Sequence, residues 1–423
     1  MVAVLATGRA AAQSDSSWVA SDRSARAALV AGDTLGYRNE LLKLCDLLNG
    51  NPRVVLRLAR AEAALGHRSS ACEWLGRYAE MGLGLDLAAD SALSAATSDS
   101  SCARTRERLD HNRLDPVDQA APVFTLPAPE IIAEDLAWDS RWHRFFVSGV
   151  RSGQVLCFDR HGKALRFEGP NQDSLWSVMA LGVDAARGRL WVTTACLKEG
   201  ARWAPRDSGR TAVLCYDLGT GRRLGRWEPP PDGRARALGD MTVGPDGTAY
   251  VSESIQGAVY RIAGPADSLA TLLPEGTLRS PQTPAVTPDG SRLMVADYAL
   301  GIAIVDLASR RVTWLDHRRD VALTGIDGLY LSGHSLIAIQ NGTLPERVIQ
   351  LSLDNGLTRV DNSEVLQQNT RGLGDPTHGT LVGPDFHFIA NSGWDRVNEA
   401  NPAGPMSAGA PPQIMRIHLN EEP

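Results

Sequence analysis

The sequence has no apolar run approaching 18 residues, which excludes a membrane-spanning helix on hydropathy. It has no basic excess: 43 Lys and Arg stand against 49 Asp and Glu, for a net charge of −6. A nucleic-acid surface wants a basic stripe with interleaved aromatics, so this balance argues against one. There is no Cys-x-x-Cys pair, and with it goes a zinc site of that type. The six cysteines form no recognisable disulfide framework. A Gly-x-Ser-x-Gly elbow is also missing, so a Ser-His-Asp hydrolase of that design has no support. Asp316–His317 reads as a surface pair on an outer strand.

What the chain does have is repetition. Six stretches each run hydrophobic strand, turn with a small or acidic residue, hydrophobic strand. They begin near Glu134, Met179, Gly239, Gln282, Asp327 and His378. Most go on to a third strand, such as GQVLCFD, TAVLCYD, GAVYRI or GIAIVDL. Spacings of about 43 to 60 residues with several short strands per unit predict radial units, a β-propeller of six blades. The last repeat ends in QIMRIHL with no outer strand after it, and VFTLP before the first blade is expected to supply that strand and close the ring. Cys157 and Cys215 hold one place in neighbouring blades, too far apart to bond, and read as core thiols.

The N-terminal part is different. Residues 19–112 are Ala- and Leu-rich with helical periodicity. RNELLKLCDLLNG is one amphipathic helix. The next stretch is a helix pair turning at Gly66–His67, with Asn51 as N-cap and Pro52 at the first helical position. Ala59, Ala63, Gly66 and Ala71 let two helices approach closely, and their spacing resembles a tetratricopeptide helix pair. That resemblance implies a protein partner; a helical cap on the propeller is the alternative. The expected organisation is therefore mainly β: 1–18 as a signal remnant or frayed end, 19–112 as the helical domain, 113–120 as linker and 121–423 as the propeller. If 1–18 is the tail of a signal, the protein is periplasmic or secreted; otherwise it is cytoplasmic.

Side chains of a strand alternate with period two. Aligned on their turns, the six blade starts put Glu134, Met179, Gly239, Gln282, Asp327 and His378 at one depth in the channel, with Asp135 and Asp240 one residue further along. Glu134, Gln282, Asp327 and His378 are polar and come from consecutive blades once the ring closes. Carboxylates converging in a narrow channel need compensation. A divalent cation on these four would supply it, as would hydrogen bonds among the groups and water. Oxygen donors suit calcium or magnesium; the imidazole admits manganese or zinc. Substrate or rim positions fall to Asp135, Asp240, Arg151, Glu253, Tyr298, Asn341, Asn391 and Trp394. Two long insertions, Leu197–Arg210 and the stretch after Asn391, interrupt the same strand connection in blades two and six and are expected at one end of the ring.

The blade starts AEDLAWD, GDMTVGPDGTAYV, TPAVTPDGSRLMVAD and GIDGLYL resemble those of the gluconolactonase/regucalcin family, and are similar to the related paraoxonases. The resemblance covers about residues 121–420. It implies a six-bladed propeller with one catalytic divalent cation that hydrolyses lactones or esters. Under it, Glu134 matches the first-blade ligand, and Asp327 matches the fifth-blade ligand and base. In the hydrolase reading Asp327 or His378 takes the proton from water. The pair Glu134–Asp135 is similar to an acidic pair of the paraoxonases. The family's two asparagine ligands are replaced by Gly239 and Gln282, and His378 is an addition. The expected substrate is a small lactone or ester. The other reading is a non-catalytic propeller that binds a ligand or a protein.

Overall fold

The computed structural model describes residues 8–127 and 130–419. Of the expected leader at 1–18, residues 1–7 lie outside the described residues. Among the described residues no helix is long and apolar enough to cross a membrane. The chain divides into two compact units: the helices up to Asp115 together with His317–Thr324, and the remainder.

The larger unit is a six-bladed β-propeller. Its described strands fall into six antiparallel sheets, with innermost strands at Ala133–Asp139, Ser177–Asp184, Leu238–Val243, Pro281–Val286, Ile326–Ser332 and Gly379–Val382. Each innermost strand touches the next, and the sixth touches the first, so the ring is closed. Polar turn residues set the hairpins. Asp139 Oδ1 accepts the N–H groups of Arg141 and Trp142 at 3.0 and 3.4 Å, while Oδ2 accepts Arg144 Nε at 2.8 Å. In the Pro-Asp-Gly turn of blade three, Asp246 takes the Thr248 N–H at 2.9 Å and Gly247 sits at φ +85°, where a side chain would be strained.

Apolar residues fill the layers between blades. Phe146, Val192 and Leu214 pack together with Cys157; Trp191, Val213 and Val251 pack together with Cys215. The two thiols are therefore buried in successive layers, free and unbonded. The ring closes as expected: Ala120–Thr125 pairs antiparallel with Gln413–His418. The stretch expected as linker is largely structured. Helix runs to Leu114, and Val117–Asp118 pairs with Gln368 and Gln367 on the outer edge of blade five.

The smaller unit holds helices α1 (Gly8–Val30), α2 (Thr34–Leu47), α3 (Pro52–Ala64), α4 (Arg68–Glu80), α5 (Ser91–Ala96) and α6 (Ala103–Leu114). Asn51 caps α3 by accepting the Arg53 N–H at 3.0 Å, with Pro52 opening the helix. Leu41, Leu44, Leu58 and Leu75 form its core, and Ala322 is buried among them. The sequence showed no disulfide, but Cys72 on α4 and Cys102 beside α6 form one, with Cα atoms 5.9 Å apart. They are 30 residues apart, and closing a loop of that length is worth about 3–4 kcal/mol through the unfolded chain. Reduction is therefore expected to lower the denaturant midpoint of the helical unit, read by far-ultraviolet circular dichroism. An unchanged midpoint would mean that the bond contributes nothing.

Candidate functional site

The innermost strands line a cavity of about 190 Å³, with Asp135, Leu181, Met241, Thr283, Tyr330 and His378 each contributed by a different blade. This is the axial channel. Five of the six strands break register at their start: between Ala133 and Leu136, Val178 and Leu181, Leu238 and Asp240, Pro281 and Pro284, and Ile326 and Leu329. A bulge re-aims the side chains around it. Simple alternation therefore fails at the positions where the site lies.

The bulge in blade three brings Asp240, not Gly239, to the centre. His378 Nε2 lies 2.6 Å from Asp240 Oδ1, and its Nδ1–H donates to the Glu134 carbonyl at 2.9 Å. Asp240, Asp327 and His378 each offer a ligand atom, all within 4.8 Å of one another. Asp327 Oδ2 accepts Asn341 Nδ2 at 2.7 Å, and Asn341 Oδ1 accepts the Tyr298 hydroxyl at 3.1 Å. That chain fixes the Asp327 carboxylate. Glu134 Oε2 accepts Trp394 Nε1 at 2.5 Å.

Burial makes this centre hold protons. It pushes the Glu134 carboxyl up to about 8, with the Asp327 and Asp240 carboxylates adding to the shift against His378 and Trp394. It pushes Asp135 up to about 7 and Asp327 up to about 6. For His378, burial disfavours the cation, but Asp327 and Asp240 outweigh it and raise its pKa well above the ordinary value. Both ring nitrogens face acceptors, which suits an imidazolium.

The expected four-residue ligand set is thus regrouped. Asp327 and His378 lie in one cluster with Asp240, and Glu134 is not part of it. Gln282 turns its amide to Ser280 Oγ at 3.2 Å. Asp240, expected at the rim, is buried within the cluster. Asp135 also leaves the rim: its carboxylate accepts the Leu136 and Leu181 N–H groups, both at 2.7 Å, and so joins blades one and two. Glu253 is fully buried and accepts the N–H groups of Ala237, Ile255 and Gln256 at 2.9, 3.0 and 2.7 Å, which leaves it unavailable to a substrate. Asn391 is also occupied, bonding Pro411 O and the Gln413 N–H at 3.0 and 2.7 Å.

Arg151 connects the two long insertions. Its carbonyl accepts the Ala201 N–H at 2.8 Å and its guanidinium donates to Ala403 O at 3.1 Å, so both loops gather at one end of the ring. Sequence reasoning missed Asp375, whose carboxyl is pushed up to about 6 by burial and then by Asp327. It stands three residues before His378, but no repeat position singles it out.

No family model and no curated protein matches this chain. Among solved structures it is similar to a putative gluconolactonase at 13% identity, with a TM-score of 0.46, over 71% of this chain and 92% of that one. It is similar to a luciferin-regenerating enzyme at 12% identity, with a TM-score of 0.45, over 70% of this chain and 95% of that one. It is also similar to virginiamycin B lyase from Staphylococcus aureus at 13% identity, with a TM-score of 0.44, over 66% and 85% of the two chains. These are likenesses of fold, and one fold hosts many functions. The chain is a six-bladed β-propeller with a helical N-terminal segment, and a putative gluconolactonase stands among the structures it is similar to.

Proposed function

We propose that the channel holds one divalent cation on Asp240, Asp327 and His378, and that the protein hydrolyses lactones or related esters. The observation that carries this is the convergence of those three donors within 4.8 Å in a channel lined by all six blades. The donor chemistry fits. His378 donates Nδ1–H to a backbone carbonyl, as ligand histidines do, and this leaves Nε2 for a cation. Two carboxylates with an imidazole favour manganese or zinc, whereas calcium, the expectation from an oxygen-rich set, would need further oxygens.

A cation there supplies Lewis-acid polarisation of a carbonyl and a lowered pKa for water. The chain's own residues supply the rest. Asp327, held by Asn341, is positioned to accept a proton from water. Glu134, whose carboxyl burial pushes up in the cation-free centre, is the acid placed to donate one to a leaving oxygen. Trp394 holds that carboxyl in place.

The second reading, a non-catalytic binding propeller, is favoured by one observation. His378 as an imidazolium already supplies a positive charge between Asp240 and Asp327, and it does so without any cation.

Titration of stability separates the two. Glu134, Asp135, Asp327 and His378 all bind protons more tightly folded than unfolded. Their stabilisation is full below the unfolded values and is lost as pH rises through the folded ones, so the cation-free protein should lose melting temperature between about pH 4 and 8. A cation must displace the His378 Nε2 proton, so its affinity should rise with pH. The expected result is a melting-temperature gain with manganese or zinc that grows across that range, together with hydrolysis of a simple lactone. No gain with manganese, zinc, calcium or magnesium at any pH would leave the binding reading in place.

A further inference from the structure

Of the three buried arginines among the described residues, two are visibly partnered. Arg236 meets the Asp232 and Glu275 carboxylates, both at 2.6 Å, and Arg347 donates Nε to Gln340 at 2.8 Å. Arg396 is different. It is 8% exposed, and its Nη2 is buried with no hydrogen-bond partner. A buried guanidinium left unsatisfied is costly, and such a group persists where something outside the chain completes it.

The surroundings are built around this side chain. It lies in the blade-six insertion, in a short turn spanning Trp394–Arg396. A Cβ at Gly409 would come within 2.3 Å of Arg396 Cδ, and one at Gly393, where φ is +94°, within 2.7 Å of its Nη2. Two glycines therefore make room for the arginine stem and its head. The loop is also tied over it by Ser407, whose N–H donates to the Arg396 carbonyl at 3.0 Å. Replacing either glycine would displace the guanidinium, so the burial is specified by the chain rather than accidental.

Arg396 lines a pocket of about 710 Å³ that shares no lining residue with the axial channel. Exposed Arg371 and the single carboxylate of Asp395 share its wall, which leaves it with a net positive charge. Leu373, Met415 and Pro122 give it an apolar side. Such a volume exceeds what a bare inorganic anion fills, and the mixed wall suits a small molecule with a charged end and a carbon body. A guanidinium takes a carboxylate through two parallel N–H···O bonds.

We propose that the pocket beneath the blade-six insertion binds a small organic acid, whose carboxylate is the missing partner of Arg396. This site is separate from the channel and does not depend on a cation there. Its ligand brings a negative charge into a pocket that the protein lines with an unpaired positive one, and binding stabilises the insertion in place.

Thermal melting of the full chain tests this, with succinate, inorganic phosphate and chloride at matched ionic strength. Succinate should raise the wild-type melting temperature by at least about 2 °C over chloride, and by more than phosphate does. Arg396→Met keeps the stem packed against Gly409 and removes the charge. It should abolish the succinate response and melt at or above the wild type in chloride alone. Arg396→Lys, which keeps the charge without the planar fork, should weaken succinate binding about tenfold by calorimetry. A wild type indifferent to succinate, or an unchanged response in Arg396→Met, would overturn the site. A marked loss of stability in Arg396→Met without any anion would assign Arg396 a purely structural role and overturn it too. A phosphate response equal to that of succinate would overturn the organic-acid assignment.

Discussion

Asp240→Asn should sharply weaken the cation-dependent rise in melting temperature and, even without cation, lower stability by about 3–5 kcal/mol. The carboxylate lies 2.6 Å from His378 Nε2, and both side chains are almost fully shielded from water. Removing its charge leaves a buried imidazolium facing an amide, and removing one partner of a buried pair costs far more than the pair contributes. The amide also gives up one of the two negative charges in the donor cluster, so a cation there is held much more weakly. Glu134→Gln is the informative comparison. Glu134 stands outside the donor set, so this variant should keep a cation response while losing activity on any lactone substrate. Titration calorimetry and melting curves with manganese or zinc read both. A full response in Asp240→Asn with none in Glu134→Gln would restore the ligand set expected from blade alignment and discard the one drawn from the bulges.

Asp297→Ala should destabilise the propeller by about 4 kcal/mol or more, one of the largest single-residue losses expected away from the channel. Asp297 is fully buried at the end of the second strand of blade four. Its Oδ2 accepts the N–H groups of Arg279 and Ser280 at 2.6 and 3.3 Å, and its Oδ1 those of Ala299 and Leu300 at 3.0 and 3.1 Å. One carboxylate therefore ties the connector entering the blade to the hairpin leaving it. Alanine takes the acceptor from the Arg279 and Ser280 N–H groups on the connector, while Leu300 keeps the residue-297 carbonyl at 3.2 Å. Asn, which keeps one accepting oxygen, should lose roughly half as much. Urea denaturation followed by intrinsic fluorescence measures it; a loss under about 1 kcal/mol in Asp297→Ala would show that water replaces the carboxylate there.

Glu253 does the same work in blade three with one more methylene, clamping Ala237 on the connector and Ile255 and Gln256 in the hairpin. In the sequence both acids stand at the end of a second strand, where a rim residue would also stand. Nothing local distinguishes an acid that faces a ligand from one that folds back on its own turn. The difference arises only when the connector from the preceding blade arrives with its N–H groups unpaired.

Blade number, the closing strand from Ala120–Thr125, the cap of α3 and the buried thiols Cys157 and Cys215 were all legible in the sequence. They rest on local rules: strand alternation, turn chemistry, helix capping and a repeat that recurs six times. The axial site was legible only as a neighbourhood. Period-two alternation pointed to Glu134, Gln282, Asp327 and His378, but the innermost strands bulge where they enter the channel, and the bulge in blade three turns Asp240 to His378 in place of Gly239. Those bulges, the Cys72–Cys102 bond, the burial of Ala322 in the helical core and the unpaired Arg396 depend on contacts between segments far apart in sequence. Local periodicity carries no information about such contacts, so only the tertiary structure decided them.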